Sequence, residues 1–352
     1  MLEFTLSGND FFDGVSQPVL LVQAQTIQYF NPAAGSLFAL AGISLSVGAP
    51  APEQLPEPGS SAATMTLAGR HWSVLIRVTK SGALYQFTPI REQSEAESAR
   101  LRQLSIQLQV MVSHAGIAAE ALQRELSETE QHRSSRQIAR LNRSLHRLLR
   151  MSGHLDFCSR SDSELLILFP AETVELAGFC RELEQTIHPV ARQVNHSLVF
   201  DGFSKELLGL VNSEMLRQVL YNLISNALKA GGDMRLRLRR RGSSAILTLT
   251  DTGKGISPDK METLFSFDGE DSTGNLSLGL PLCRRILQLY GGQLVVSSSR
   301  SGTSVSISLP LCTNQKRLRQ TLPVLPEQGY SLLLIELSDV LPDALYGQED
   351  VL

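Results

Sequence analysis

The chain has 352 residues, enough at roughly 100–200 residues per domain for two or three domains, and 42 % hydrophobic with 19 % charged residues excludes disorder over most of it. Lys plus Arg total 32 against 35 Asp plus Glu, a net charge of -3, which argues against a general nucleic-acid or acidic-membrane binder. Four dispersed cysteines without a CxxC pair argue against a disulfide framework or zinc site, and no apolar run nears the ~20 residues of a bilayer span, so a soluble, cytoplasmic, thiol-reduced protein is expected.

Residues 1–90 read as a small mixed α/β unit. PVLLV (18–22) and TIQYF (26–30) are predicted strands, and Asn31 as N-cap with Pro32 as first helical residue predicts a helix over PAAGSLFAL. Pro50, Pro52, Pro56 and Pro58 mark a loop. Trp72, Val74, Ile76 and Val78 then alternate as in a strand, and Ser81-Gly82 turns the chain into ALYQFTPI. His71 is the sole histidine of this stretch and no cysteine lies in it, so covalent flavin or haem attachment has no support.

Residues 91–152 lack proline and hold one glycine, Gly116, and their period becomes helical. Leu101, Leu104, Leu108, Met111, Ala115, Ala118 and Leu122 form one apolar seam; Ile138, Leu141, Leu145 and Leu148 form a second. The polar run SETEQHRSS between them predicts the connection of a helical hairpin. Two narrow stripes bury little surface alone, which predicts a homodimeric four-helix bundle. Arg136, Arg140, Arg143, Arg147 and Arg150 also step by three and four, displaced from the seam. A solvated bundle face is the expectation, with docking of an acidic protein as the sharper alternative.

Residues 160–312 alternate leucine-rich helical patterns (174–194, 212–230) with the strand-like runs RLRLRR, AILTLTD, QLVVSSS and SVSISLP. After Pro323 and Pro326, YSLLLIEL (330–337) reads as an added edge strand before a polar tail.

Two local patterns carry chemistry. Asp251-Thr-Gly-Lys-Gly-Ile256 ends an apolar strand, where a carboxylate and two glycines suit an amino-bearing ring and a close backbone approach; an ordinary loop explains the same residues. Asn222, Asn226 and Lys229 share one face of a helix whose other face is Leu216, Leu220, Leu223 and Ala227. Amide oxygens suit a Mg²⁺ ion that bridges phosphates, and a lysine suits the phosphates themselves; a merely polar helix face is the plainer reading.

Together these patterns resemble the N and G1 boxes of the GHKL (Bergerat-fold) ATPases, and the surrounding chain resembles a sensor histidine kinase. The resemblance covers about residues 95–311: the hairpin, QVLYNLISNALK, DTGKGI, Phe265–Phe267, Leu278-Gly-Leu280 and GGQLVVSSSRSGTSVSISLP. Residues 1–90 are similar to a reduced PAS sensor, with Asn31-Pro-Ala-Ala at its strand-to-helix junction. The resemblance implies a multidomain α+β chain: a PAS-like sensor (1–90), a dimerising phosphotransfer hairpin (91–158) and a Bergerat-type α/β sandwich (159–312); outside it, residues 313–352 are an extension with the extra strand and tail read above. It implies ATP and Mg²⁺ as ligands. Asp251 would bind the adenine amino group, with Gly253 and Gly255 shaping the purine pocket and Thr303 closing it. Asn226 would hold Mg²⁺ assisted by Asn222, with Lys229 near the phosphates, and Gly279 and Leu280 would open the helix facing the triphosphate. His114, preceded by Ser113, would accept the phosphoryl group; His132, His146 and His154 are placed less well. A response-regulator receiver domain would be the partner, with a small molecule or protein as the signal at the sensor and no membrane span.

This chain departs from the family at two places. After His114 the family's proton-accepting acid is replaced by Ala115-Gly-Ile-Ala-Ala, with Glu120 nearly two turns away, and the residue one turn on, where phosphatase activity needs a polar group, is Ala118. The usual GxGLGL lid is Asn275-Leu-Ser-Leu-Gly-Leu280, which keeps only the last glycine. The departures define two readings: an active histidine kinase, and a degenerate scaffold that binds nucleotide and partner without phosphotransfer. A chaperone- or topoisomerase-type ATPase fits less well, because those lack the hairpin spacing.

Overall fold

The structure, a computed structural model, describes residues 15–79, 81–90, 95–125, 128–202, 206–257, 260–261, 264–265, 278–312 and 331–346. Near its start, β1 (Val19–Gln23) and β2 (Thr26–Phe30) lead into α1 (Pro32–Leu40). Asn31 is fully buried at that junction. Its Oδ1 accepts from Ala34 N at 3.0 Å as the N-cap and from Val19 N at 2.9 Å, while Nδ2 donates to the Gln17 carbonyl at 2.8 Å. One amide thus fixes the helix start and the strand beside it.

The strands β3 (Ala62–Leu67), β4 (Arg70–Thr79) and β5 (Gly82–Pro89) complete this part. β3 was not picked out from the sequence, although in AATMTL Thr64 and Thr66 alternate with Ala63, Met65 and Leu67 as in a strand. β3 also makes the widest connection in the fold. It pairs antiparallel with β11 (Gln293–Ser299), with Ala63 opposite Val295 and Ala62 opposite Val296. Ser61 N donates to the Val296 carbonyl at 2.8 Å, and Thr64 Oγ1 bonds the Leu294 carbonyl at 3.3 Å. Among the described residues ten strands consequently form one sheet, β2-β1-β5-β4-β3-β11-β12-β10-β9-β7, with β7 (Leu198–Asp201), β9 (Met234–Arg241), β10 (Ser244–Asp251) and β12 (Gly302–Pro310) at its far end. Two apolar clusters use this sheet, a small one around Phe38, Val74 and Phe87 and a larger one around Leu216, Leu247 and Ile286.

Over the larger cluster lie α5 (Leu176–Gln193) and α6 (Ser213–Ala230), at the positions the leucine patterns predicted, and α7 (Gly279–Leu289), which starts where the resemblance implied. A separate two-stranded ladder joins β6 (Glu172–Glu175) to β8 (Leu208–Val211), beyond the short α4 (Asp162–Leu168).

The predicted hairpin consists of α2 (Glu95–Glu125) and α3 (Glu128–Ser159), tied where Ser105 Oγ and Ser152 Oγ each donate to the other's carbonyl at 2.9 Å. Its details differ from the expectation in two respects. The polar run 127–135 is helical from Glu128 onward, since Glu, Gln, Arg and Ser without Gly or Pro do not stop a helix. The packed face of α2 uses Ser105, Val112 and Ala119 rather than Leu104 and Met111, which are exposed with Ile106, Val110 and Ile117; on α3, Ile138 and Leu145 are buried but Leu141 and Leu148 are not. The helical period holds on both helices, and within one chain the face of α2 that packs on α3 lies one residue on from the predicted seam.

Residues 331–346 overturn two expectations. YSLLLIEL is no edge strand: α8 (Leu332–Glu336) is a helix, followed by a 3₁₀ turn over Asp343–Tyr346, with Leu337, Leu341 and Tyr346 fully buried. A short apolar run does not by its period distinguish strand from helix, and the contacts made with α3 and α6 decide. The arginine face of α3 is likewise only partly a solvated surface: Arg136, Arg140 and Arg147 are exposed, while Arg143 and Arg150 are half-buried under this segment. Arg140 and Arg143 pair with Asp343, and Arg147 and Arg150 pair with Asp339. No helix among the described residues is long and apolar enough to cross a membrane.

Candidate functional site

The site lies where the end of β10 meets the end of α6. Along β10 the inward positions are Ala245, Leu247, Leu249 and then Asp251, so the strand period carries a carboxylate into a buried position. Asp251 Oδ1 accepts from Gly253 N at 2.9 Å and from Thr303 N, on neighbouring β12, at 3.2 Å. Burial pushes the carboxyl above the usual aspartate range, and these two N–H donors oppose the rise.

The glycines are required by close backbone packing. A side chain at Gly253 would lie 2.6 Å from Ala230 Cβ, and one at Gly255, whose φ is +71°, would run into the Ser299 carbonyl. Gly302, φ +135°, sits just as tightly on the Asp251 carbonyl and was not picked out from the sequence. Its signal was the SRSGTS turn between two strand-like runs. Thr303 Oγ1 bonds Ser298 Oγ at 3.1 Å, whose hydroxyl also receives Ile256 N at 2.8 Å. Asp251, Gly253, Gly255 and Thr303 therefore form one connected pocket wall.

The opposing wall is α6. It starts at the N-cap Asn212 and stops at Gly231, which is left-handed at φ +80° and has no contact that a side chain would violate. Its last turn reaches the first wall, where Lys254 N donates to the Ala230 carbonyl at 3.3 Å. Asn222 is buried, whereas Asn226 and Lys229 are more open. A side chain on Gly279, the first residue of α7, would fall 2.6 Å from Asn222 Oδ1, so this helix opens directly against the Asn222 amide. Leu280 and Phe265 are buried; Phe267 and the lid residues Asn275–Ser277 lie outside the described residues.

Asn222 and Lys229 each have an acidic partner. Asn222 Nδ2 donates to Glu336 Oε2 at 3.1 Å, and Lys229 Nζ pairs with Asp339 Oδ2 at 2.6 Å. Glu336 also meets His154 Nε2 at 3.1 Å, and both side chains are buried. These acids were missed from the sequence, although their spacing was readable: Glu336, Asp339 and Asp343 step by three and four, as the arginines of α3 do.

His114 is exposed on α2, as are Ser113 and Ala118. Among the described residues, no hydrogen bond joins it to the pocket. His146 and His154 are buried beneath residues 331–346, and the side chain of His132 lies outside the described residues.

A buried carboxylate at a strand end, with glycines after it and the end of an amide-bearing helix beside it, is the arrangement that the sequence resemblance leads one to expect. Residues 211–313 match the family described as histidine kinase-, DNA gyrase B-, and HSP90-like ATPase, and this region makes the chain a homologue of sensor histidine kinases. The adaptive-response sensory kinase SasA of Synechococcus sp. (strain JA-2-3B'a(2-13)) is 29 % identical over 240 residues, 65 % of this chain and 63 % of that protein. The C4-dicarboxylate transport sensor protein DctB of Rhizobium meliloti (strain 1021) is 37 % identical over 108 residues, 29 % of this chain and 17 % of DctB. Among solved structures, full-length ShkA in complex with AMPPNP shares the fold over 63 % of this chain and 48 % of its own, at 23 % identity and a TM-score of 0.53. The chain spans less than two thirds of the length of the curated relatives it matches.

Proposed function

We propose that this chain is a cytoplasmic sensor histidine kinase, which phosphorylates His114 with Mg-ATP and passes the phosphoryl group to an aspartate of a response-regulator receiver domain. The observation that carries the reading is Asp251, buried at the end of β10 and bonded to Gly253 and Thr303, with the loop after it hydrogen-bonded to the end of α6, the helix that bears Asn222, Asn226 and Lys229. Residues 1–90 act as the PAS-like input, 91–158 as the dimerising hairpin, and 159–312 as the ATP-binding part. The exposed apolar side chains Leu104, Met111 and Ile117 on α2 support a second copy packing there.

Asp251 accepts a hydrogen bond from the adenine amino group, and Lys229 and the start of α7 face the phosphates. Asn226 offers one hard amide oxygen that would hold Mg²⁺, and the ion would offset charge on the phosphates. In the transfer, an imidazole nitrogen of His114 bonds to the γ-phosphorus, the bond to the bridging oxygen breaks and ADP leaves. The imidazole proton must then reach solvent or a base, because position 115 carries alanine. General-base help is typically worth ~10²–10⁴-fold, so autophosphorylation is expected to be slow for a kinase of this class.

The test is incubation with γ-labelled ATP and Mg²⁺. Acid-labile, base-stable label should appear on the wild-type chain and vanish in both His114→Ala and Asn226→Ala. Nucleotide binding without any label in the wild type would favour the second reading, a nucleotide-binding scaffold, which Ala115 and Ala118 support.

A further inference from the structure

Residues 331–346 touch both the pocket and the hairpin through charge. Glu336 meets Asn222, Gln218 and His154; Asp339 meets Lys229, Arg147 and Arg150; Asp343 meets Arg140 and Arg143. The backbone joins in, with the Ser338 carbonyl accepting from Arg143 Nε at 2.8 Å and the Glu336 carbonyl from Arg150 Nη1 at 3.1 Å. Leu337, Leu341 and Tyr346 anchor the segment, and the Tyr346 ring stands edge-on to His146 with centroids 5.0 Å apart. Burial alone would raise the Asp339 carboxyl, but Arg150, Lys229 and Arg147 outweigh it and hold it below the usual range, so it sits there as an anion.

We infer that residues 331–346 are a built-in anionic occupant of the phosphate end of the nucleotide pocket, and that they restrain the chain from binding nucleotide. The inference rests on the proposed nucleotide reading and adds a regulator to that site. A triphosphate needs cationic and amide donors, and here Lys229 Nζ and Asn222 Nδ2 already donate to carboxylates. The same segment clamps α3 to α6, since Asp339 bridges Arg147 and Arg150 on one helix to Lys229 on the other. Being covalently attached, it competes as an intramolecular ligand, for which effective concentrations reach the millimolar range (~mM). Release would free both the donors of α6 and the arginine face of the hairpin.

The test compares the full wild-type chain with two full-length variants by calorimetric titration with Mg-ADP. Asp339→Lys with Asp343→Lys sets like charge against the arginines and Lys229. Leu341→Ala with Tyr346→Ala loosens the anchors and keeps every charge. Both should bind Mg-ADP about tenfold more tightly or better, since two charge-assisted contacts no longer compete. A peptide of residues 331–346 added to the Leu341→Ala/Tyr346→Ala chain should weaken binding again. Unchanged or weaker binding in both variants, with no effect of the peptide, overturns the occupant while leaving the nucleotide reading intact. No binding by any of the three chains overturns both.

Discussion

Asp251→Asn is expected to weaken Mg-ADP binding by about 10²–10³-fold while leaving the chain folded, because it turns an acceptor into a donor facing the adenine amino group. The isosteric amide keeps an Oδ1 for the N–H groups of Gly253 and Thr303, so the pocket wall persists. The pH dependence has a defined sign. Burial raises this carboxyl, so its ionised form weighs against stability at neutral pH. The stability it contributes is present in acid and is lost as pH rises through its folded value. The neutral asparagine escapes that loss and should be at least as stable as wild type at pH 7. Binding runs the other way: the ionised form is required, so wild-type affinity should fall on acidification before an ordinary aspartate would protonate. Titration calorimetry across pH, alongside thermal melts of both chains, separates loss of affinity from loss of fold.

The second large effect is on stability. Gly255→Ala places a Cβ against the Ser299 carbonyl at a φ of +71°. Left-handed backbone costs roughly 1–2 kcal/mol for a non-glycine residue, and here the obstacle is main chain that no rotamer change can clear. A loss of about 3 kcal/mol or more is expected, which for a domain of ~150 residues lowers the melting temperature by roughly 10 °C. Gly231→Ala is the control. It shares a positive φ but meets no neighbouring atom within 4 Å, so only the backbone strain should register in differential scanning calorimetry.

Both positions were legible before any coordinates, and the reason is local. A strand period that carries Asp251 inward, two glycines after it, and a helix with Asn222 and Asn226 one turn apart all reside in contiguous runs of sequence. The same holds for Asn31-Pro32, where cap and first turn are adjacent residues. What escaped was non-local. Which face of α2 packs on α3 depends on the neighbour, so Leu104 and Met111, placed in the seam, are exposed within one chain. The pairing of β3 with β11, more than two hundred residues further on, is equally invisible in either run alone. The arginine row of α3 was read correctly as a stripe, but its partners lie nearly two hundred residues further along the chain. Only matching two spacings, the arginines against Glu336, Asp339 and Asp343, would have joined them.

That Asp251 reads an adenine ring is the claim on which the account turns, and the base itself provides the most direct measurement. Titration of the wild-type chain with Mg-ADP and with Mg-IDP compares an amino group with a carbonyl oxygen at the same ring position. A carboxylate accepts a hydrogen bond from the first and meets only an acceptor in the second. The account predicts that ADP binds at least about 10²-fold more tightly than IDP, with the preference abolished or reversed in Asp251→Asn. Equal affinity for the two nucleotides, or a wild-type preference for IDP, would contradict it.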